Sequence, residues 1–150
     1  MKRILLLIII ATFVFACQQE QVVSEKNPTD LIIKTGIICG WCSRNDTLSI
    51  IGNSVRYVNY TQCNNSKPAS VKTREIASSE LDSLLMMLDF DEFKKIELNT
   101  CNVCFDGCDS WIEIRQRAES HYIRFTGNES TLAPIKEFIE RLNTIKSKYQ

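Results

Sequence analysis

The sequence contains little glycine, proline or histidine. Its 150 residues include 5 glycines, 3 prolines and a single histidine, His121. So few glycines and prolines exclude a collagen-like or low-complexity chain, and one histidine excludes a metal site built from several imidazoles. An excess of charge of one sign is also missing, because 18 basic residues balance 18 acidic ones. No basic stripe therefore indicates a nucleic-acid partner.

A hydrophobic run long enough to span a bilayer is also absent. Two basic residues follow Met1, an apolar run occupies residues 4–15, and Ala16 stands directly before Cys17. The run is shorter than the ~20 residues that cross a membrane. A basic start, a short apolar segment and a small residue at its end are typical of a secretory signal. We therefore expect the chain to be exported.

The position of Cys17 adds a resemblance to this signal. A cysteine directly after the small residue makes the segment similar to a bacterial lipoprotein signal, which implies cleavage before Cys17 and acyl chains such as palmitate on that residue. The residues 18–20 that follow resemble the export tag of surface lipoproteins in Bacteroidota-type bacteria. The resemblance implies a lipid anchor in the outer membrane of the cell envelope, with the domain periplasmic or surface-exposed. The alternative is a plain secretory signal with an incidental cysteine.

The rest of the chain divides into two parts. Residues 17–30 are polar, contain Pro28 and lack periodicity, which is typical of a flexible tether. Residues 31–150 have the length of one domain with its own core. We therefore predict a signal peptide at 1–16, a tether at 17–30 and a single domain at 31–150.

Strand and helix patterns alternate within this domain. Four strands are predicted before the first helix, at residues 31–37, 47–51, 55–61 and 71–76. Leucines at helical spacing then predict a helix that begins with a capping box of Ser79 and Asp82. Two more strands, at 110–116 and 120–126, precede a second amphipathic helix that begins near Thr131. The order strands, helix, strands, helix predicts an α+β fold, an antiparallel sheet with two helices on one face.

Two predicted hairpins define strand register. In the first, Gly52-Asn53 suits a two-residue turn, which places Ile50 opposite Val55. Extending this ladder brings Cys42 opposite Cys63.

In the second hairpin, a turn centred on residues 118–119 pairs Ile114 with Ile123. His121 then lies opposite Gln116 at the turn end of the apolar face. We expect it to make an ordinary hydrogen bond there, because no catalytic motif accompanies it.

Cysteine is the residue type in excess. Six cysteines remain besides Cys17, and they are Cys39, Cys42, Cys63, Cys101, Cys104 and Cys108. An even set in an exported chain indicates disulfides, because no reducing pool keeps the thiols free. We predict a disulfide-stabilised fold in which Cys42 pairs with Cys63, Cys39 with one of the last three, and the remaining two with each other.

Two other uses of these cysteines are possible from spacing. Cys39-Gly-Trp-Cys42 has the spacing of a thiol–disulfide oxidoreductase, but the helix that would lower the thiol pKa is not predicted after it. The pairs Cys39/Cys42 and Cys101/Cys104 match the spacing of a tetrahedral zinc site. Because an oxidising compartment favours disulfides over both, we predict no cofactor and no metal.

Four further residues are weaker candidates. Asp106 and Asp109 are spaced to share a cation, but the alternating series of an EF-hand is missing, so loop hydrogen bonding is favoured. Trp41 and Trp111 are candidates for an exposed aromatic recognition patch, and packing against a disulfide is favoured over it.

Four features of the domain together carry a second resemblance. They are the cysteine loop after the first strand, the leucine stripe ending at residues 89–93, the late hairpin and the final amphipathic helix. Over residues 31–147 these features resemble a domain family of unknown function found in bacterial lipoproteins, which implies no activity. We predict a lipoprotein with a non-enzymatic binding or structural role and an envelope or protein partner. The alternatives are an oxidoreductase using Cys39 and Cys42, or a zinc-binding module.

Overall fold

The structure is a computed structural model that describes residues 30–60, 68–127 and 129–150. The predicted signal peptide, Cys17 and residues 18–29 of the tether lie outside these ranges. Cys63 lies outside them as well, and the side chain of Cys42 is not described.

In the described chain, four strands precede two α-helices, and two more strands precede a last α-helix. The strands are β1 (Leu31–Cys39), β2 (Asn45–Ile51), β3 (Ser54–Tyr60), β4 (Ser70–Glu75), β5 (Cys108–Gln116) and β6 (Glu119–Phe125). The α-helices are α1 (Ser78–Met86) and α2 (Phe90–Lys94), which precede β5, and α3 (Lys136–Ser147), which follows β6. Short 3-10 segments cover Gly40–Cys42, Asn102–Phe105 and Ser130–Ile135. The predicted mixture of helix and antiparallel sheet is confirmed.

All six strands belong to one antiparallel sheet with the order β4-β3-β2-β1-β5-β6. The first strand of the described residues is therefore central, with β2 on one side and β5 on the other. Because β1 ends at Cys39 and β5 begins opposite it at Cys108, the loops that carry the two cysteine clusters meet at one end of the sheet.

The first hairpin has the predicted register. Ile50 pairs with Val55 and Leu48 with Tyr57 across the turn at Gly52-Asn53, and the ladder continues to Asn45 opposite Tyr60. The predicted pairing of Cys42 with Cys63 falls outside the described residues and stays a prediction.

The second hairpin pairs two residues away from the predicted register. Its turn is at Arg117–Ala118, so that Ile112 pairs with Ile123 and Ile114 with His121. Arg117 has a φ of 57°, a conformation that glycine or asparagine usually adopts at such turns, and neither residue is present to indicate it. Because the shift is even, each side chain keeps its predicted face.

The helix boundaries also correct the prediction. The N-cap of α1 is Ala77, without a side-chain hydrogen bond, so the capping box at Ser79 and Asp82 is wrong. The segment after α1 forms a further short helix, α2, that the sequence pattern did not indicate, and the Asp89 carboxylate caps it by accepting from two backbone N–H groups. The final helix begins at Lys136 rather than near Thr131, because Pro134 lies in a 3-10 turn that precedes it.

One apolar core joins helices and sheet. Its largest fully buried side chains are Phe93, Phe138, Ile33, Leu48, Leu84, Ile112, Ile114, Ile123, Ile135, Leu142, Ile145 and Val55. They come from alternate positions of the strands and from the apolar stripes of the helices, and each contributes roughly 1.5–3 kcal/mol when buried. The core therefore stabilises the sheet, and the two cysteine loops lie at one end of it.

Candidate functional site

Two disulfides lie where β1 and β5 meet. Cys39 is bonded to Cys108, its partner across the β1–β5 ladder, and the two Cα atoms are 4.0 Å apart. Cys101 is bonded to Cys104 within the loop that precedes β5. Both pairs are among those that the sequence predicts. We call residues 39–43 and 100–108 the disulfide tip.

One backbone hydrogen bond joins the two loops of the disulfide tip, and a second lies within the later loop. The Gly40 N–H donates to the Gly107 carbonyl over 2.8 Å, and the Gly107 N–H donates to the Asn102 carbonyl over 2.8 Å. Gly40 also has no room for a side chain, since a Cβ there would lie 2.5 Å from the Cα of Asp106. The loops thus touch through their backbones, and a larger residue at position 40 would separate them.

A buried carboxylate holds the second loop in place. Asp109 accepts from the Val103 N–H at 2.9 Å, from the Thr100 hydroxyl at 2.7 Å and from the Thr126 hydroxyl at 2.9 Å. Burial raises the pKa of Asp109, but these hydrogen bonds outweigh it and hold the pKa below its ordinary value of 3.8. The predicted loop hydrogen bonding of Asp109 is confirmed. Asp106 takes a left-handed conformation at the end of the 3-10 turn.

The disulfide tip exposes two large aromatic side chains. Trp41 is 85% exposed and Phe105 is 86% exposed, so the expected packing of Trp41 against a disulfide is wrong. Trp41 directly follows Gly40, and Phe105 directly precedes Asp106, the residue whose backbone lies against Gly40. Trp41 also has a φ of 51°, a left-handed conformation that costs about 1–2 kcal/mol for a residue with a Cβ. Phe105 was not among the predicted site residues, although an aromatic side chain inside a cysteine cluster is a signal for it.

Trp111 lies on the sheet, away from the strand ends. It is paired with Gly36 of β1, and its ring stacks on Tyr122 with centroids 6.1 Å apart. A Cβ at Gly36 would lie 2.7 Å from the Trp111 ring. The indole therefore occupies the space above the glycine, and its stacking partner is Tyr122, where the sequence favours a disulfide.

A buried ion pair connects β2 to α3 and was missed by the sequence analysis. Asp46 is 1% exposed and forms a salt bridge with Lys146, which is 7% exposed. The Tyr57 hydroxyl donates to Asp46 at 3.3 Å, and the Arg44 guanidinium lies 3.4 Å from it. Burial lowers the pKa of Lys146 more than Asp46 raises it, while burial and then the Asp46 charge raise the pKa of Tyr57. A cavity of about 250 Å³ borders Lys146 and Arg44.

His121 makes the ordinary hydrogen bond that was predicted, from a different position. It lies opposite Ile114 rather than Gln116. Its Nε2 is 2.9 Å from the Ile96 carbonyl oxygen, and its ring meets Phe93 edge-on at 5.2 Å. These contacts fix a structural histidine between β6 and the segment after α2.

Neither a metal site nor a membrane-spanning helix is present in residues 30–60, 68–127 and 129–150. No three His, Cys, Asp or Glu side chains in these ranges come together as metal ligands. No helix within them has the length and apolarity needed to cross a membrane.

Comparisons with known proteins do not assign the chain to a family. No model of a known protein family matches the sequence. A comparison with curated proteins finds no significant match. The resemblance to bacterial lipoproteins therefore stays a prediction.

Proposed function

We propose that this protein is a lipoprotein of the cell envelope, anchored through acyl chains on Cys17, whose domain has a non-enzymatic binding or structural role. The observation that carries the proposal is the disulfide between the buried Cys39 of β1 and the exposed Cys108 of β5, where these two neighbouring strands meet. Structural disulfides persist in oxidising compartments. The disulfide and the signal before Cys17 are independent features, and both support export to an oxidising compartment.

The arrangement of the helices belongs to this proposal. We infer that α1 and α3 cover one face of the sheet, because Leu84 of α1 and Ile145 of α3 share one buried cluster with Ile112 of β5. The other face carries the partly exposed ion pair of Lys34 and Glu113, with 3.0 Å between nitrogen and oxygen. A covered apolar face and a polar face suit a small domain that stands in solvent on a tether.

The two alternative functions require cysteines in other pairings. An oxidoreductase needs an accessible bridge between Cys39 and Cys42, yet Cys39 is bonded to Cys108 and is 3% exposed. A strand also follows Cys42 closely, where that chemistry needs a helix. A zinc site needs free thiolates at Cys101 and Cys104, which are bonded to each other. These pairings favour the non-enzymatic proposal.

Labelling with palmitate tests the anchor. Cells expressing the full chain are grown with radiolabelled palmitate, and the protein is recovered by a carboxy-terminal tag. We expect label in the native protein and none in a Cys17→Ser variant, with Cys63→Ser as the control that keeps the label. Absence of label in the native protein would overturn the lipid anchor.

A disulfide map tests the non-enzymatic role. Mass spectrometry of the non-reduced digest is expected to find Cys39 with Cys108, Cys101 with Cys104, and Cys42 with Cys63. A bridge between Cys39 and Cys42 would favour the oxidoreductase. Six free thiols with one equivalent of zinc would favour the metal-binding module.

A further inference from the structure

We propose that the disulfide tip inserts Trp41 and Phe105 into the interfacial layer of the bilayer in which the chain is anchored. The inference rests on the lipid anchor of the proposed function and adds a second contact with the same membrane. This contact would set the orientation of the domain on the surface.

The conformation of Trp41 is the first support. A left-handed φ of 51° favours glycine, yet the position holds the largest side chain available and leaves it 85% exposed. Neither packing nor backbone conformation explains tryptophan at this position. Contact with a membrane would explain the tryptophan, because this residue type is enriched where protein meets the membrane interface.

The backbone of the disulfide tip suits a less polar environment. Burying an N–H group without a partner is costly, and several N–H groups of the tip already donate within the protein. The acceptors for Cys39, Gly40 and Ser43 are the carbonyls of Arg44, Gly107 and Gly40. The amides of Cys104 and Gly107 likewise donate to carbonyls of their own loop. These N–H groups therefore add little desolvation cost, and the exposed Asp106 beside Phe105 stays at the depth of the headgroups while the two rings insert.

The size of the patch favours a membrane over a protein partner. An aromatic side chain buries about 150–250 Å², so two of them offer roughly 300–500 Å². A specific protein–protein interface needs at least about 1,000 Å² in total, or about 500 Å² on each partner, so the two rings alone reach at most that minimum. A small apolar contact is sufficient when a tether already holds the domain at the surface, because the second contact is then intramolecular in effect.

The chain between lipid and domain is long enough for this contact. β1 starts at the tether and ends at the disulfide tip, so the tip lies a strand length of about 30 Å from the tether. The 13 residues between Cys17 and Leu31 reach about 45 Å when extended. The chain can therefore double back and place the tip on its own membrane.

Fluorescence of single-tryptophan proteins tests the contact, since the chain has two tryptophans. The lipidated full-length protein is reconstituted in vesicles of phosphatidylethanolamine and phosphatidylglycerol that contain brominated acyl chains, which quench nearby indoles. In Trp111→Phe the sole reporter is Trp41, and in Trp41→Phe it is Trp111. We expect blue-shifted emission for Trp41 and quenching at least about threefold stronger than for Trp111.

Two further proteins separate the possible causes of failure. Phe105→Ser in the Trp111→Phe background should weaken quenching of Trp41, whereas Met86→Ser should leave it unchanged. Met86 is 88% exposed and lines the same cavity as Leu31, the first residue of β1, so it is a matched apolar control. A protein that floats with the vesicles while Trp41 stays unquenched overturns the insertion and leaves the anchor intact. A protein that does not float refutes the anchor itself.

Trp41→Gly shows whether loss of contact reflects loss of fold. Glycine relieves the left-handed strain, so the variant should unfold at a urea concentration equal to or above that of the native protein. Its Trp111 emission and disulfide map should also be unchanged. If the variant unfolds much earlier than the native protein, Trp41 has a structural role and the proposal is overturned.

Discussion

Gly36 is the residue that lets an indole lie on the centre of the sheet. It sits in β1, the central strand, directly across from Trp111. A Cβ at this position would come within 2.7 Å of the Trp111 ring and would also meet the backbone of Asp46 on the neighbouring strand. Strand backbone cannot move aside without breaking ladder hydrogen bonds on both sides, so the requirement for glycine here is steric.

Gly36→Ala is therefore expected to destabilise the domain. Overpacking of this kind typically costs about 1–3 kcal/mol, and the measurement is the free energy of unfolding in urea. Ser49→Ala, on the next strand of the same face, serves as the control and should change stability by less than about 0.5 kcal/mol. Equal effects of the two substitutions would contradict the steric explanation.

Asp109 predicts a specific loss of stability in acid. Its folded-state pKa lies below the ordinary 3.8, so between these two values the unfolded chain binds a proton that the folded chain does not. The contribution of ionised Asp109 to the free energy of unfolding is fully present above pH 3.8 and is lost as the pH falls through the folded-state pKa. The difference in unfolding free energy between the native protein and Asp109→Asn should shrink from pH 5 to pH 2. A constant difference would show that the charge of Asp109 is irrelevant.

Among the elements, the two disulfides differ in the length of chain that they close. Cys39 and Cys108 are separated by 69 residues and join two neighbouring strands. Cys101 and Cys104 are separated by 3 and close one turn of a single loop. In the chain-entropy account, the longer loop constrains the unfolded state more.

Removing each pair should separate these contributions. Cys39→Ala/Cys108→Ala is expected to cost roughly 4 kcal/mol, and Cys101→Ala/Cys104→Ala roughly 1.5 kcal/mol. The check is equilibrium unfolding in urea without reductant, with each double variant as the control for the other. A larger loss from the local pair would mean that native packing in the disulfide tip outweighs the entropy of the unfolded chain.

The two hairpins show where sequence suffices at this scale. Gly52-Asn53 adopts the turn that its residues prefer, and the predicted ladder of the first hairpin follows from it. Arg117 has no such preference, so the turn of the second hairpin is set by pairing and by the bond from its N–H to the Asp30 carbonyl. That partner is far away in sequence, and no local pattern contains it.

The candidate site is likewise predictable from the sequence only where local residue types determine it. The even number of cysteines and the expected oxidation predict that disulfides form, because that chemistry depends on residue type, but they leave open which of Cys101, Cys104 and Cys108 is bonded to Cys39. The neighbourhood of Phe105 and Trp41 depends on the strand order that places β5 beside β1, and strand order is a property of the whole chain. For the same reason the contact between Asp46 and Lys146, 100 positions apart, has no signal in the sequence.

At the scale of the whole molecule, that ion pair ties the last helix to the sheet. Asp46 lies in β2 and Lys146 in α3, and both are nearly inaccessible to solvent. A buried pair of this kind contributes little net stability, because desolvation offsets the attraction, but loss of one partner strands the other charge. Burial already lowers the pKa of Lys146 below its ordinary value of 10.5, which agrees with a large desolvation cost.

Asp46→Asn is therefore expected to destabilise the protein by roughly 3 kcal/mol at neutral pH, at the low end of the range for a broken buried pair, because the Lys146 ammonium is left without its counter-charge. The loss stays at that end because Lys146 releases its proton more readily in the fold than in the unfolded chain. The double variant Asp46→Asn/Lys146→Met should recover most of this loss, since neither charge is then stranded. Unfolding in urea measures all three proteins, and a double variant as unstable as the single one would contradict the argument.

The pH dependence of the same pair has a definite sign. Between the lowered folded-state pKa of Lys146 and 10.5, the unfolded chain binds the proton that the folded chain has released, so this residue makes stability rise with pH. Tyr57 acts oppositely above pH 10.0, because its raised pKa lets the folded chain keep a proton that the unfolded chain loses. The stability of the native protein relative to Lys146→Met should therefore increase as the pH approaches 10 in urea titrations. Two parallel profiles would mean that Lys146 keeps its charge in the fold throughout that range, and that Asp46 compensates fully for its burial.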